Sequence, residues 1–140
     1  MKSVIKKTFL ATSIIFLFFT HPIFSQENDP KSLSPASGKA LIYIVRPSGY
    51  AMAVKFKVSF DGNEIGATKG KKFLYIMVSP GKHTIISKAN NSAQMEIDVE
   101  AGKTYFIKQT ATLGITASNE LTLLDETTGR SDLSLCKYAN

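Results

Sequence analysis

Strict alternation of apolar and polar residues constrains the fold of this chain more than any other feature of its sequence. The clearest example is the segment "AVKFKVSF" at residues 53–60, in which every second residue is apolar. The apolar positions are Val54, Phe56, Val58 and Phe60. Successive side chains of an extended strand point to opposite faces, so the segment predicts a half-buried β-strand with Lys55, Lys57 and Ser59 on its wet face.

Apolar or alternating runs of this kind recur along the chain and are separated by turn residues. They occupy residues 40–47, 53–60, 63–72, 72–89, 93–111 and 119–126, with two runs in each of the longer segments. The dipeptides Asp61-Gly62 and Pro80-Gly81 and the turn at residues 101–103 predict hairpins. About seven or eight short strands, with turn signals every ~8–12 residues, predict an all-β fold, an antiparallel β-sandwich.

The tail at residues 129–139 fits two structures. Leu133 and Cys136 have the spacing of one short helix turn after a Ser131 cap, whereas Leu133 and Leu135 have the spacing of a strand. The sequence leaves this choice open.

The first residues resemble an export signal. Lys2, Lys6 and Lys7 precede an apolar run at residues 9–19, which falls within the ~7–15 residues of a signal-peptide core and is short of the ~20 that span a bilayer. We therefore expect a signal peptide at residues 1–25, with an uncleaved membrane anchor as the alternative. Its removal would leave a protein of the periplasm, the cell envelope or the medium, with no transmembrane span.

The segment after the predicted cut has little apolar surface to bury. Residues 26–39 contain two prolines and four charges, which predicts a flexible lead-in to a single β-sandwich domain at residues 40–138. Loss of the leader lowers the net charge from +6 to +3, and the remaining charge is dispersed. A nucleic-acid partner is not indicated, since such proteins concentrate basic residues in a stripe.

Cys136 is the single cysteine of the sequence. It has no internal disulfide partner, so in an oxidising compartment it is either a buried thiol or a link to another chain. Burial is the favoured interpretation, because free cysteine packs as a small apolar group.

His83 is the one histidine that would remain after cleavage, and it follows the Pro80-Gly81 turn. On a strand it shares a face with Ile85 and Ser87. A metal site or a catalytic triad needs further ligands or an oriented nucleophile, and the sequence offers neither a second histidine nor a nucleophile motif. We therefore predict a structural His83 that bonds to a loop backbone, and no metal or other cofactor.

Two segments are candidates for binding. The loop at residues 46–54 contains Arg46, Tyr50 and Met52 beside a proline and a glycine, where exposure would suit recognition. Its alternative role is to fold back over the end of the core. The second segment, "KGKK", is the cluster Lys69, Lys71 and Lys72, which either contacts anionic lipid headgroups or acidic glycans or is a solvated hairpin tip. An unpaired edge strand could also accept a strand from a partner.

Catalysis by carboxylates is the rival interpretation. A small hydrolase of envelope polymers would draw on Asp61, Glu64, Glu96, Asp98 and Glu100. Glu96, Asp98 and Glu100 recur with a period of two, which is typical of the wet side of a sheet, and Asp61 suits its turn. The sequence therefore favours a non-enzymatic module that binds an unknown envelope protein or glycan.

Several short motifs occur in a fixed order along the chain. They are Arg46-Pro47-Ser48-Gly49, Asp61-Gly62, Ile65-Gly66, Pro80-Gly81, His83, Ala101-Gly102-Lys103, Tyr105-Phe106, Gly129-Arg130 and Cys136. Over residues 38–137 this order resembles the bacterial domain-of-unknown-function family 2846. The resemblance implies an exported protein, similar to the β-sandwich PEGA-type surface modules, with no established activity and no catalytic residues to transfer. The lipid-accepting cysteine of the family's lipoprotein members is missing here.

Overall fold

The computed structural model describes residues 28–112 and 118–140, and these residues fold as two β-sheets with one short helix. The strands are β1 (Ala40–Arg46), β2 (Phe56–Phe60), β3 (Asn63–Thr68), β4 (Lys72–Val78), β5 (Gly81–Lys88), β6 (Ser92–Val99), β7 (Thr104–Thr112), β8 (Ser118–Leu124) and β9 (Lys137–Tyr138). Helix α1 spans Glu126–Ser134, and a 3-10 turn spans Pro30–Ser32. One sheet has the order β8-β7-β1-β4-β9 and the other the order β3-β2-β5-β6. The predicted all-β, sandwich-like fold is confirmed.

The five-stranded sheet is mixed in strand direction. β1 runs antiparallel to β4 but parallel to β7, and β4 runs parallel to β9. Parallel neighbours need a connection that crosses over, which the excursion through the other sheet between β1 and β7 provides. The sheets are therefore not wholly antiparallel, which the turn signals alone could not indicate.

Only one of the three predicted hairpins exists. Asp61-Gly62 joins β2 to its neighbour β3, and both residues have positive φ angles, of 48° and 84°. The predictions at Pro80-Gly81 and at residues 101–103 are wrong, because β4 and β7 belong to one sheet while β5 and β6 belong to the other, so neither turn joins two hydrogen-bonded neighbours. At these two turns the chain passes from one sheet to the other, since a turn residue sets where the chain bends and not which strand it then meets.

Apolar side chains fill two layers. The first lies between the sheets and includes Ile42, Val58, Ile85 and Ile107. The second covers the outer face of the five-stranded sheet and includes Tyr43, Phe73, Phe106, Leu133 and Cys136. β1 lies between both layers, so all seven of its residues are buried. Burial on two faces explains why "ALIYIV", at residues 40–45, is continuously apolar instead of alternating.

The tail is helical. Leu133 and Cys136 are buried while Leu135 is 62% exposed, which is the pattern of the helix alternative. The predicted cap at Ser131 is wrong, because α1 begins earlier: the side chain of Asp125 accepts a hydrogen bond from the backbone of Thr128 and caps the helix.

Three residues of the predicted lead-in, Pro30, Lys31 and Leu33, contact the domain. The hydroxyl of Tyr43 donates to the carbonyl of Pro30 over 2.8 Å, and Leu33 packs on the outer apolar layer. Lys31 reaches the carbonyl of Ser134. The predicted signal peptide at residues 1–25 lies outside the described residues. Among those that are described, no helix has the length and hydrophobicity to cross a membrane.

Candidate functional site

Arg46, predicted as a binding residue on an exposed loop, is completely buried at the end of β1. Its guanidinium donates to the carbonyls of Val54 at 2.6 Å and Ala51 at 2.7 Å and lies 3.7 Å from the centre of the Phe56 ring. A side chain enclosed in this way cannot touch a ligand, so that prediction is wrong. Arg46 instead organises the loop at residues 47–55, because each carbonyl that it binds fixes one point of the backbone.

The buried charge of Arg46 lacks a counter-charge. In residues 28–112 and 118–140, no carboxylate forms an ion pair with it, and its Nε atom has no hydrogen-bond partner. Burial lowers the pKa of Arg46, but an arginine keeps its proton at neutral pH. Carbonyl dipoles and one aromatic face therefore hold the cation in place of a carboxylate, and the net positive charge remains at this end of the sandwich.

A buried chain of polar side chains braces the same end. Thr68 donates to Gln109 over 2.5 Å, and Gln109 donates to Ser87 over 2.8 Å, which links β7 of one sheet to β3 and β5 of the other. The carbonyl of Thr68 also faces the Arg46 guanidinium at 3.4 Å. Thr68 is therefore held through both its side chain and its backbone carbonyl.

Tyr50 and Met52 are exposed, at 41% and 52%, as predicted for this loop. The turn at residues 69–71 packs directly on the loop: a Cβ at Gly70 would lie 2.9 Å from the Met52 Cα, so only glycine fits. The backbone N–H of Gly70 donates to the carbonyl of Met52. The two segments singled out from the sequence are therefore neighbours.

Two of the three predicted lysines face a common cleft. Lys69 and Lys72 line a cavity of about 600 Å³ together with Lys55. The remaining lining residues are Ile65, Gly66, Ala67, Ala139 and Asn140. Lys71 is exposed, and its Cε lies beside Gly49 on the loop side. None of the three cleft lysines pairs with a carboxylate of the described residues.

Lys55 was not singled out from the sequence as a binding residue. In the sequence, Lys55 stands on the polar side of the alternating segment. Any solvent-exposed lysine of a strand stands in the same way, so this position does not indicate a binding residue. What distinguishes Lys55 is its nearness to Lys69 and Lys72, which are far from it along the chain. The antiparallel pairing of β2 with β3, in which Phe56 is opposite Thr68, brings Lys55 close to Lys69.

His83 lies at the opposite end of the sandwich. Its Nε2 atom is 2.6 Å from the carbonyl oxygen of Ser79 and its Nδ1 atom is 2.6 Å from a carboxylate oxygen of Asp61. The ring centre is 4.9 Å from that of Phe60. The predicted bond to a loop backbone is confirmed, and the carboxylate partner is an addition that the structure reveals. His83 joins the corner between the sheets to the hairpin turn after β2.

Both ring nitrogens of His83 face acceptors, which suits the imidazolium because only that form donates from both. Burial alone lowers the pKa of His83, but the hydrogen bonds to Asp61 and Ser79 and the charges of Asp61 and Asp98 outweigh it and raise the pKa above its ordinary value. The N–H of Thr84, and then His83, lower the pKa of Asp61. No group of three metal-ligating side chains occurs among the described residues.

The remaining candidate carboxylates do not converge. Glu96, Asp98 and Glu100 are exposed, and Asp98 stands opposite Lys82 in the ladder between β5 and β6. Glu64 lies 4.0 Å from Lys57, with both side chains mostly exposed.

Cys136 is buried at 1% exposure, which confirms the favoured interpretation. Its thiol lies 3.3 Å from the carbonyl oxygen of Asp132. Burial raises the pKa of Cys136 to about 11, which keeps the sulfur protonated and unreactive.

A family model described as a protein of unknown function (DUF2846) matches residues 36–134, which is most of the chain. This chain belongs to the DUF2846 family. The match covers β1 to α1, and therefore includes the loop organised by Arg46 and the three lysines of the cleft. It also confirms the resemblance that the ordered turn motifs indicate.

A curated relative from Haemophilus influenzae is named only as an uncharacterized protein. The DUF2846 chain is 31% identical to it over 83 residues, which cover 59% of this chain and 49% of the relative. The chain thus matches about half the length of that relative. Neither comparison assigns an activity, so the site must be judged from its own chemistry.

Proposed function

We propose that this DUF2846 protein is an exported, non-enzymatic module that binds an acidic glycan of the cell envelope in the cleft lined by Lys55, Lys69 and Lys72. The observation that carries the proposal is a concave cavity of about 600 Å³ whose wall has three lysines that pair with no carboxylate of residues 28–112 and 118–140. Its volume is within the ~300–1,000 Å³ of typical ligand pockets. Export is supported by the charged start and apolar run at residues 1–25.

The electrostatic balance of the cleft supports an anionic ligand. No aspartate or glutamate lines it, and the wall includes Ala67 and Lys69 on either side of Thr68. The buried Arg46 faces the carbonyl of Thr68 from inside the protein. A charge in a low-dielectric interior is screened little, so it adds to the field that the lysines produce at the surface.

The shape of the cleft favours a discrete ligand over a membrane surface. Lipid headgroups are contacted by protruding side chains, whereas these lysines surround a depression. A hydrolytic role has less support, because an acid and a base must both reach the substrate and no aspartate or glutamate side chain of the described residues lines this cavity.

The test is binding of the chain from residue 26 to oligogalacturonate, a uronic-acid polymer, by calorimetry at low and high salt. We expect binding that weakens as salt rises, and its loss in the variant Lys55→Ser/Lys69→Ser/Lys72→Ser. The matched control is Lys39→Ser/Lys82→Ser/Lys103→Ser, which removes the same charge away from the cleft. Equal losses in both variants would mean that net charge alone attracts the polymer, and the proposal would fail. Vesicles containing phosphatidylglycerol are the second arm: cleft-dependent binding to them without binding to the glycan would also contradict it.

A further inference from the structure

A second depression adjoins the cleft. It has a volume of about 410 Å³ and is lined by Val54, Lys55, Lys57, Lys88, Ala89 and Asn90. Lys55 lines both cavities. The two depressions are therefore neighbours that share one cationic side chain, and together they place five lysines along one end of the domain.

Two of these lysines face each other across a strand pair. Lys57 of β2 and Lys88 of β5 are direct partners in the antiparallel ladder, and both are exposed on the outer face of the four-stranded sheet. Directly opposed side chains have Cβ atoms about 4.5–5.5 Å apart, so like charges there destabilise the sheet. Lower on the same face, Lys82 is opposite Asp98 and the charges match. The like-charged pair is thus confined to the end that bears the depressions.

Acidic neighbours offset little of this repulsion. Lys57 has Glu64 at 4.0 Å, but both side chains are more than half exposed and such pairs contribute little. Lys88 forms no ion pair with any carboxylate of residues 28–112 and 118–140. A bound anion between Lys57 and Lys88 would remove the repulsion.

The buried Arg46 lies close to both depressions. Its guanidinium donates to the carbonyl of Val54, which lines the second depression, and faces the carbonyl of Thr68, whose chain neighbours Ala67 and Lys69 line the first. This buried cation adds to the positive potential near both cavities.

We propose that the two depressions form a single groove for a linear polyanion, a polymer whose repeating carboxylate or phosphate groups contact Lys69 and Lys72 at one end and Lys57 and Lys88 at the other. This inference rests on the proposed function, because it takes the first cleft as one half of the groove. It adds a requirement for ligand length: a single anionic unit fills one depression, and only a chain of units reaches both.

The experiment compares galacturonate monomer with long oligogalacturonate, and inorganic phosphate with long polyphosphate, on the chain from residue 26. For a polymer that reaches both depressions we expect affinity to rise with length. The variant Lys57→Ser/Lys88→Ser should lose this gain, so that long and short chains bind it with similar affinity through the first cleft. Its slope of log affinity against log salt for the polymer should fall by about one per lysine removed. The matched control Lys39→Ser/Lys82→Ser should keep the length dependence.

The outcomes separate the two proposals. Polymer affinity that is unchanged in Lys57→Ser/Lys88→Ser but lost when Lys55, Lys69 and Lys72 are replaced would overturn the extended groove and leave the first cleft as the whole site. Wild-type affinity that is independent of length would overturn it as well. Absence of binding to all four probes would refute both proposals. Length-dependent binding to either polymer supports the groove, and the preferred polymer identifies whether carboxylates or phosphates are recognised.

Discussion

Replacing Gly129 with alanine should have two opposite effects on the free energy of unfolding. Gly129 lies inside α1, where alanine is the better helix former by about 1 kcal/mol. It is also buried against β7, and a Cβ built on it would lie 2.2 Å from the Cγ atom of Phe106 and 2.5 Å from its Cβ atom. Carbon atoms pack at about 3.5–4.0 Å, so the helix and the ring would have to move apart by more than 1 Å.

The ring of Phe106 has little room to give way. It is 1% exposed and stacks on Tyr43 with 5.4 Å between ring centres. Overpacking of this kind costs about 1–3 kcal/mol, and the contact here argues for the upper end. After subtraction of the helix gain, we expect Gly129→Ala to lower the free energy of unfolding by about 2 kcal/mol, which corresponds to a fall in melting temperature of about 10 °C for a domain of this size.

Urea unfolding followed by circular dichroism measures this difference. Ser131→Ala, at an exposed position of the same helix, is the matched control and should be neutral or slightly stabilising. Adding Phe106→Leu to Gly129→Ala should restore part of the loss, because the smaller side chain leaves space for the new methyl group. An alanine variant as stable as the parent would show that the helix is not held against Phe106 as described.

Two further predictions concern titratable side chains. The raised pKa of His83 means that its contacts contribute stability that is fully present below the unfolded pKa near 6.5 and is lost as pH rises through the folded pKa. The gap in free energy of unfolding between the parent and His83→Gln should therefore be larger at about pH 5.5 than at about pH 9, and a gap that widens with pH in urea titrations would contradict the geometry. The thiol of Cys136, with a pKa of about 11 against an ordinary value of 9.0, should react with iodoacetamide roughly a hundredfold more slowly in the folded protein than in urea. Equal rates in mass-spectrometric time courses would show that the sulfur is accessible.

The backbone hydrogen bond of His83 and the burial of Cys136 could be predicted, because the sequence offers the ring no second histidine and no nucleophile motif, and offers the thiol no second cysteine. The position of the Arg46 side chain, in contrast, could not be predicted. A loop residue beside proline and glycine has the sequence signal of an exposed contact, yet its guanidinium lies under carbonyls of the loop that follows it. The sequence contains no mark of this, because backbone carbonyls are present at every position and can bind a cation wherever the chain folds around it.

The lysines of the cleft also show what the sequence predicts and what only the fold decides. The sequence shows Lys69 and Lys72 as a local cluster, whereas Lys55 lies beside them because β2 pairs with β3 in a register that puts Phe56 opposite Thr68. Lys57 and Lys88 meet only through the register of two strands.

The sequence by itself determined that the chain is extended in short strands, where it turns and which side chains alternate inward. These features depend on the period of two and on the backbone angles of single residues, which are local properties of the sequence. Only the tertiary structure decided which strands pair, that the corners at residues 79–80 and 100–103 lead from one sheet to the other, and which lysines share a surface. The physical reason is that strand pairing and charge proximity depend on residues distant along the chain, whose contacts are selected by the burial of the whole core rather than by any one segment.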